Sequence, residues 1–210
     1  MTNDIQQAYN EWSHQYDTNH NRTRDLEAIS LREAIHAFPW KKCLEIGCGT
    51  GKNTATLLEL AEHITAVDLS EGMLTRAKEK IQSPAVDFRQ ADITQPWDFA
   101  GTMYDLVTFS LVLEHIEQLD DIFSKTSAVL ASGGHVYVGE LHPFKQYNGS
   151  KARFDTTEGT QVVTCFNHHI SDFTGSAAGA GLQLVQVKEY FDDGDRNQVP
   201  RVLGLLFRKP

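Results

Sequence analysis

Cysteine is scarce in this chain of 210 residues: Cys43, Cys48 and Cys165 are the whole complement. They form no C-x-x-C pair, and an odd number supplies no disulfide framework. Cys43 and Cys48 sit in or beside an apolar run, where a small buried thiol is the ordinary use, and a reducing cytoplasm is the expected compartment. Long apolar runs are missing too. The N-terminal MTNDIQQAYNEWSHQ has no apolar signal core, and no stretch approaches the roughly 20 residues of a membrane-spanning helix, so no membrane partner is expected. Basic charge is in short supply: 19 Lys and Arg stand against 28 Asp and Glu, a formal net charge of −9. Phosphate backbones demand a positive field, so a nucleic-acid partner is not expected either. No repeat, low-complexity tract or Gly/Ser/Pro-rich linker divides the chain, and its length suits a single domain over 1–210.

What is present is a rhythm. KCLEIGC (42–48) reads as a buried strand, followed by Thr54, Leu57, Leu58 and Ala61 at helical spacing. HITAVDL (63–69) is a second strand, and Ser70 can cap a helix carrying Met73, Leu74, Ala77 and Ile81. VDFRQAD (86–92) and YDLVTFS (104–110) give a third and a fourth. The helix bearing Leu119, Ile122, Phe123 and Thr126 is expected to end at the SGG of 132–134, before a fifth strand at 135–141. Strands separated by crossover-length connections predict an α/β fold, a doubly wound and mostly parallel sheet. LQLVQVKEYF and RVLGLLFRKP close the chain as an antiparallel pair after a helix near 168–180. Residues 1–40 are expected to form a helical lid, 41–141 a cofactor-binding core, 142–167 a substrate-side insert and 168–210 the closing helix and strands.

The stretch LEIGCGTG (44–51) carries the functional signal. In an open parallel sheet, ligands bind beyond the carboxyl ends of the strands, and Gly47, Gly49 and Gly51 lie there. Asp68 ends the next strand, where a carboxylate can accept from both hydroxyls of a ribose. A dinucleotide site wants G-x-G-x-x-G, but the third position is Lys52 in one frame and Thr54 in the other. The pattern is E-x-G-x-G-x-G instead, and Glu45 before the turn suits an ammonium group while repelling a pyrophosphate. A ribose, an amino-acid tail and no phosphate describe S-adenosylmethionine.

With AVDLSEGML, ADI and YDLVTFSLVLEHI following in order, residues 41–141 resemble the class I S-adenosylmethionine-dependent methyltransferases, in particular the small-molecule group that includes quinone-biosynthesis enzymes. The resemblance implies a Rossmann-like seven-stranded sheet whose final strand is antiparallel. It implies that Gly47, Cys48, Gly49 and Gly51 face the methionine part of the cofactor and that Asp68 takes the ribose hydroxyls. Leu69 and Met73 would flank the adenine, with Asp92 and the Ile93 amide at its edge, and Ser110 and Leu111 would border the sulfonium. Met73 reads equally well as core; for Asp92 the cofactor role is favoured over a turn cap.

Tyr9, Trp12 and Tyr16 recur at helical spacing. They read either as a docking stripe or as a lid near the cofactor and acceptor, where aromatic faces attract a sulfonium by cation–π interaction. Tyr16 is the first choice for the cofactor; Arg24 reads as a partner of the cofactor carboxylate or of a nearby acid. A general base is needed only if the acceptor must lose a proton. His115, after the fourth strand, and His142, after the fifth, are the catalytic candidates. His168 and Arg153 are candidate substrate contacts, Arg153 suiting a carboxylate or phosphate. No His pair has companion ligands at a spacing that forces a metal site, so no metal is expected. The expected activity is methyl transfer to a small polar metabolite. A protein methyltransferase, a non-catalytic regulator that binds the cofactor and, less favoured, an NAD-dependent oxidoreductase remain as alternatives. Oligomeric state is not legible.

Overall fold

The computed structural model describes residues 2–18, 20–156 and 159–210. Two helices come first, α1 (Thr2–Trp12) and α2 (Arg22–Ile35). The side chain of Asn21 accepts from the Thr23 and Arg24 amides at 3.0 and 3.1 Å, satisfying donors that the first turn of α2 leaves open. Next come β1 (Trp40–Ile46), α3 (Lys52–Leu57), β2 (Ala61–Asp68), α4 (Glu71–Lys80), β3 (Val86–Gln90) and β4 (Tyr104–Ser110). They are followed by α5 (Leu119–Val129), β5 (Leu130–Leu141) and α6 (Pro143–Tyr147). A small hairpin, β6 (Arg153–Thr156) with β7 (Gly159–Val162), precedes α7 (Ile170–Gly179), β8 (Gln183–Tyr190) and β9 (Val202–Arg208). Residues 157 and 158, between these two strands in sequence, lie outside the described residues.

The main sheet has seven strands in the order β3-β2-β1-β4-β5-β9-β8. The first five run parallel; β9 is antiparallel to both β5 and β8, so it alone is reversed. Alternation along each strand splits the core in two. Leu44, Ile46, Val107 and Phe109 meet Phe123 of α5 and Phe173 of α7 on one face. Cys43, Ile64, Ala66 and Leu106 meet Leu31 and Ile35 of α2, Leu57 of α3 and Leu74 of α4 on the other. Strand order reverses between β1 and β4, and the crevice that such a reversal opens lies at the ends of these strands.

Several boundaries differ from the sequence expectation. Ser132, Gly133 and Gly134 do not stop α5, which ends at Val129. The chain enters β5 directly, and the glycines sit where the pairing with β4 shifts register, Gly133 at φ +80°. Helix α3 is only six residues long, and Ala61 opens β2 instead of closing the helix. The N-terminal segment is two helices, and Tyr16 falls in the turn after α1. No helix among the described residues is long and apolar enough to cross a membrane.

Candidate active site

The turn after β1 is held from behind. The amides of Gly47 and Cys48 both donate to the Val67 carbonyl of β2, at 2.7 and 3.0 Å. Gly47, Gly49 and Gly51 all adopt positive φ, where a side chain is strained. Their surroundings differ. A Cβ on Gly47 would come 2.0 Å from Val112 Cγ2, whereas a Cβ on Gly49 would meet nothing within 4 Å. Gly47 therefore permits close packing, and Gly49 leaves open space.

Two cavities border this turn, and a third shares Tyr16 and Leu111 with both. The first, about 120 Å³, is bordered by Gly49, Asp68, Leu69, Met73, Asp92, Ile93 and the Ser110–Leu111 step. Asp68 spends one oxygen on the Gly49 amide and the other on the Ser70 amide, both at 2.8 Å, so it ties the glycine turn to the start of α4. Burial pushes its carboxyl up, and each oxygen keeps a lone pair for a further donor. Asp92 does cap a turn, accepting from the Thr94 amide and hydroxyl through Oδ1 at 2.9 and 2.7 Å; Oδ2 has no protein partner among the described residues. Met73 is 1% exposed and packs with Ala8, Trp12 and Val163, yet it also borders the cavity, so its two readings coexist.

The second cavity, about 50 Å³, lies on the other side of the turn among Arg24, Glu27, Glu45, Cys48 and Asn53. Burial pushes the Glu45 carboxyl up to about 8, opposed by the Thr54 hydroxyl that donates to it at 2.6 Å. Glu27, on α2, accepts from Asn53 at 2.8 Å and from Tyr137 at 3.1 Å, and burial raises it too. Two buried carboxyls with raised pKa values make a pocket that gains from a cation. Arg24 stands over the Tyr16 ring at 4.0 Å and donates to the Tyr16 carbonyl.

The third cavity is the widest, about 350 Å³. Tyr9, Trp12, Tyr16 and Leu111 form its inner wall, and the start of α2, residues 150–153 and Arg201 form the outer one. The aromatic trio does cluster: Trp12 lies 5.6 Å from Tyr9 and 4.9 Å from Tyr16 between ring centroids. Trp12 is buried, while Tyr9 and Tyr16 border the first cavity as well. Tyr16 and Leu111 border all three. Leu111 holds φ +57°, a costly conformation for a branched residue, just past the end of β4.

His115 borders the first cavity. Its Nδ1 lies 2.8 Å from the Thr164 carbonyl, which only accepts, so Nδ1 carries the proton and Nε2, 2.7 Å from the Tyr9 hydroxyl, accepts from it in the neutral ring. His142 departs from expectation. It is completely buried, borders none of the three cavities, caps α6 through Nδ1 and holds Glu189 through Nε2 at 3.0 Å. Pro143 sends the chain into a helix at this point, turning the ring inward. His168 is likewise buried, donating to the Ile116 carbonyl at 2.7 Å; it positions the loop after β4 and borders none of the cavities. Arg153 borders the third cavity.

Sequence reading missed Glu27, which sits on a helix far from any motif, and Glu140, whose Oε1 accepts from the Val112 and Leu113 amides at 2.9 and 2.7 Å and so shapes the turn after Leu111. An acid ending the fifth strand was the available signal. It also missed that Cys165 returns to Glu114 and His115, the three ligand atoms lying within 4.8 Å of one another. Both His115 nitrogens are already hydrogen-bonded, and the Cys165 thiol is pushed up to about 12 by burial and by Glu114. A metal taken here would have to displace these protons.

Comparison with known proteins follows this geometry. Residues 44–138 match the methyltransferase domain family. The chain is 25% identical to an uncharacterized methyltransferase of Emericella nidulans, over 85% of this chain and 76% of that one. It is 30% identical to a ubiquinone biosynthesis O-methyltransferase of Marinobacter nauticus, over 49% of this chain, and spans 44% of that relative's length. The structure of the DhpI–SAH complex superimposes with a TM-score of 0.78 at 21% identity, covering 99% of this chain and 96% of that one. The reversed β9 and this superposition agree on the fold, and the family match places a methyltransferase domain at residues 44–138.

Proposed function

We propose that the chain transfers the methyl group of S-adenosylmethionine to a small polar molecule. One observation carries the reading: three cavities of different chemistry meet at Tyr16 and Leu111. The cofactor's sulfonium likewise joins three arms, an adenosyl group, an aminoacyl chain and the methyl. The first cavity, with Asp68, Met73 and Asp92, suits a nucleoside; the second, with Glu27 and Glu45, suits an ammonium; the third would receive the acceptor. When bound, the cofactor would supply an activated methyl, with Asp68 and Asp92 holding its nucleoside and Glu27 and Glu45 its ammonium.

The chain's own residues then align, enclose and hold protons. Tyr16 offers a ring to a sulfonium, an attraction worth about 0.5–2 kcal/mol depending on desolvation. Tyr9 and Trp12 exclude water from the junction. His115, with its Nδ1 proton held by Thr164, keeps Nε2 able to take a proton passed through the Tyr9 hydroxyl. A third cavity of about 350 Å³ has the size of a small-molecule site, which favours a metabolite over a protein tail. The Marinobacter nauticus relative, named for ubiquinone biosynthesis, points the same way.

A crystal grown with S-adenosylhomocysteine tests this. The nucleoside is expected between Asp68 and Asp92 and the amino group beside Glu27 and Glu45. No binding by calorimetry, or a ligand lodged elsewhere, ends the reading.

A further inference from the structure

The charge around the third cavity runs against the charge of the chain. The protein carries a net −9, yet Arg22, Arg24, Lys151, Arg153 and Arg201 all border this one concavity. Glu114 is the one acid among its lining residues, and burial raises its pKa, favouring the neutral carboxylic acid. These cations come from separate segments: the start of α2, the insert before β6 and the residue before β9. Spacing pairs Arg22 with Arg24 and Lys151 with Arg153, and only the fold brings the two pairs and Arg201 together.

Their partners sort them further. Arg201 is fixed by two bonds to Asp192, at 2.5 and 2.6 Å, and Arg22 has Asp193 at 3.7 Å. Lys151 and Arg153 have no carboxylate partner among the described residues. Like charges gathered on a concave wall repel one another and focus a positive potential into the space between them. An anion entering that space relieves the repulsion and gains charge-assisted hydrogen bonds, bidentate from an arginine. The inner wall is the reactive side, since Tyr9, Tyr16 and Leu111 are shared with the first cavity.

We propose that the methyl acceptor is an anion, a small molecule bearing a carboxylate or phosphoryl group, whose charged end is held by Lys151 and Arg153 with Arg22 and Arg201 behind, while its nucleophilic end reaches past Tyr9 and Tyr16. This rests on the methyltransferase reading above and names the acceptor class for the same site. It also accounts for the insert: residues 151–153 supply the cations, while Val163, its amide bonded to the Ala152 carbonyl at 2.9 Å, packs with Trp12 beneath them.

The test uses the full chain saturated with S-adenosylhomocysteine, titrated with inorganic phosphate or acetate against chloride at matched ionic strength. Thermal shift and calorimetry are the readouts. Phosphate binding identifies a phosphoryl acceptor, acetate binding a carboxylate, and either supports the anionic class if Lys151→Ala with Arg153→Ala weakens it at least 10-fold. The double variant should leave affinity for S-adenosylhomocysteine within 3-fold, which also reports that it has folded. No binding of either anion above chloride, or anion binding untouched by the double variant, overturns the proposal and leaves the cofactor reading intact. Failure of S-adenosylhomocysteine itself to bind takes down the cofactor reading and this proposal with it.

Discussion

The Tyr9 hydroxyl lies 2.7 Å from His115 Nε2, joining a helix at the very start of the chain to the turn after β4. The Thr164 carbonyl on the far side of the ring fixes which nitrogen is bare. If the acceptor gives up a proton, His115→Asn is expected to lower kcat by about 10²–10⁴-fold, the usual worth of a positioned base. Tyr9→Phe is expected to lose less. The measurement is kcat across the pH range: a limb of the wild-type profile that reports this base should be absent from His115→Asn. Cofactor affinity should stay within 3-fold, which a packing defect would not respect.

His142 should behave in the opposite way. As a buried cap it is expected to contribute stability of about 0.5–2 kcal/mol, so His142→Ala should lower Tm and leave kcat per folded molecule unchanged. Its pKa is lowered, burial outweighing the Glu189 carboxylate. The contribution of a neutral buried ring is thus present above the usual histidine range and lost as pH falls through it. His142→Asn, which can still cap, should flatten that acid loss in a series of denaturant melts.

Glu45 sets a pH signature for cofactor binding. Its carboxyl is pushed from 4.5 up to about 8, burial first, with Glu27 and Asp68 adding to it. In the empty protein the stability tied to this group is full below about pH 4.5 and is lost as pH rises through 8. An arriving ammonium favours the carboxylate, so binding at pH 7 is expected to release up to about one proton. Calorimetry in two buffers of different ionisation enthalpy measures the release, which should fade above pH 8 and vanish in Glu45→Gln.

The glycine turn offers a paired comparison. Gly47→Ala drives a methyl into Val112 and should destabilise the fold by about 1–3 kcal/mol. Gly49→Ala meets no protein atom, so its stability loss should be limited to the strain of positive φ, roughly 1 kcal/mol. Its methyl should instead obstruct the ligand and weaken S-adenosylhomocysteine binding at least 10-fold. Chemical denaturation and calorimetry on the two variants separate the effects.

How much of this was legible follows from sequence distance. The sheet was legible because its strands are short apolar runs between helical segments, and the glycine turn because its residues are contiguous. Asp68 was placed as the acid ending the next strand, whereas Asp92 came from the family resemblance; both border the first cavity. The histidines were not: His115 and His142 occupy equivalent places after neighbouring strands, and only the backbone after each decides which ring meets the crevice. Pro143 starts α6 and turns His142 into the core, whereas the extended loop 163–169 runs beside His115 and presents Thr164 and Cys165 to it. Glu27, and the gathering of Arg22 and Arg201 beside Lys151 and Arg153, were hidden for the same reason, each joining partners more than twenty residues away.

The meeting of three chambers at Tyr16 and Leu111 constrains traffic through the protein. Leu111 belongs to the rigid edge of the sheet, and Tyr16 to the cover laid over it. A cover that forms part of every wall cannot lift from one chamber alone. On the proposed reading, a cover that lifts to admit the donor also takes down part of the acceptor's wall.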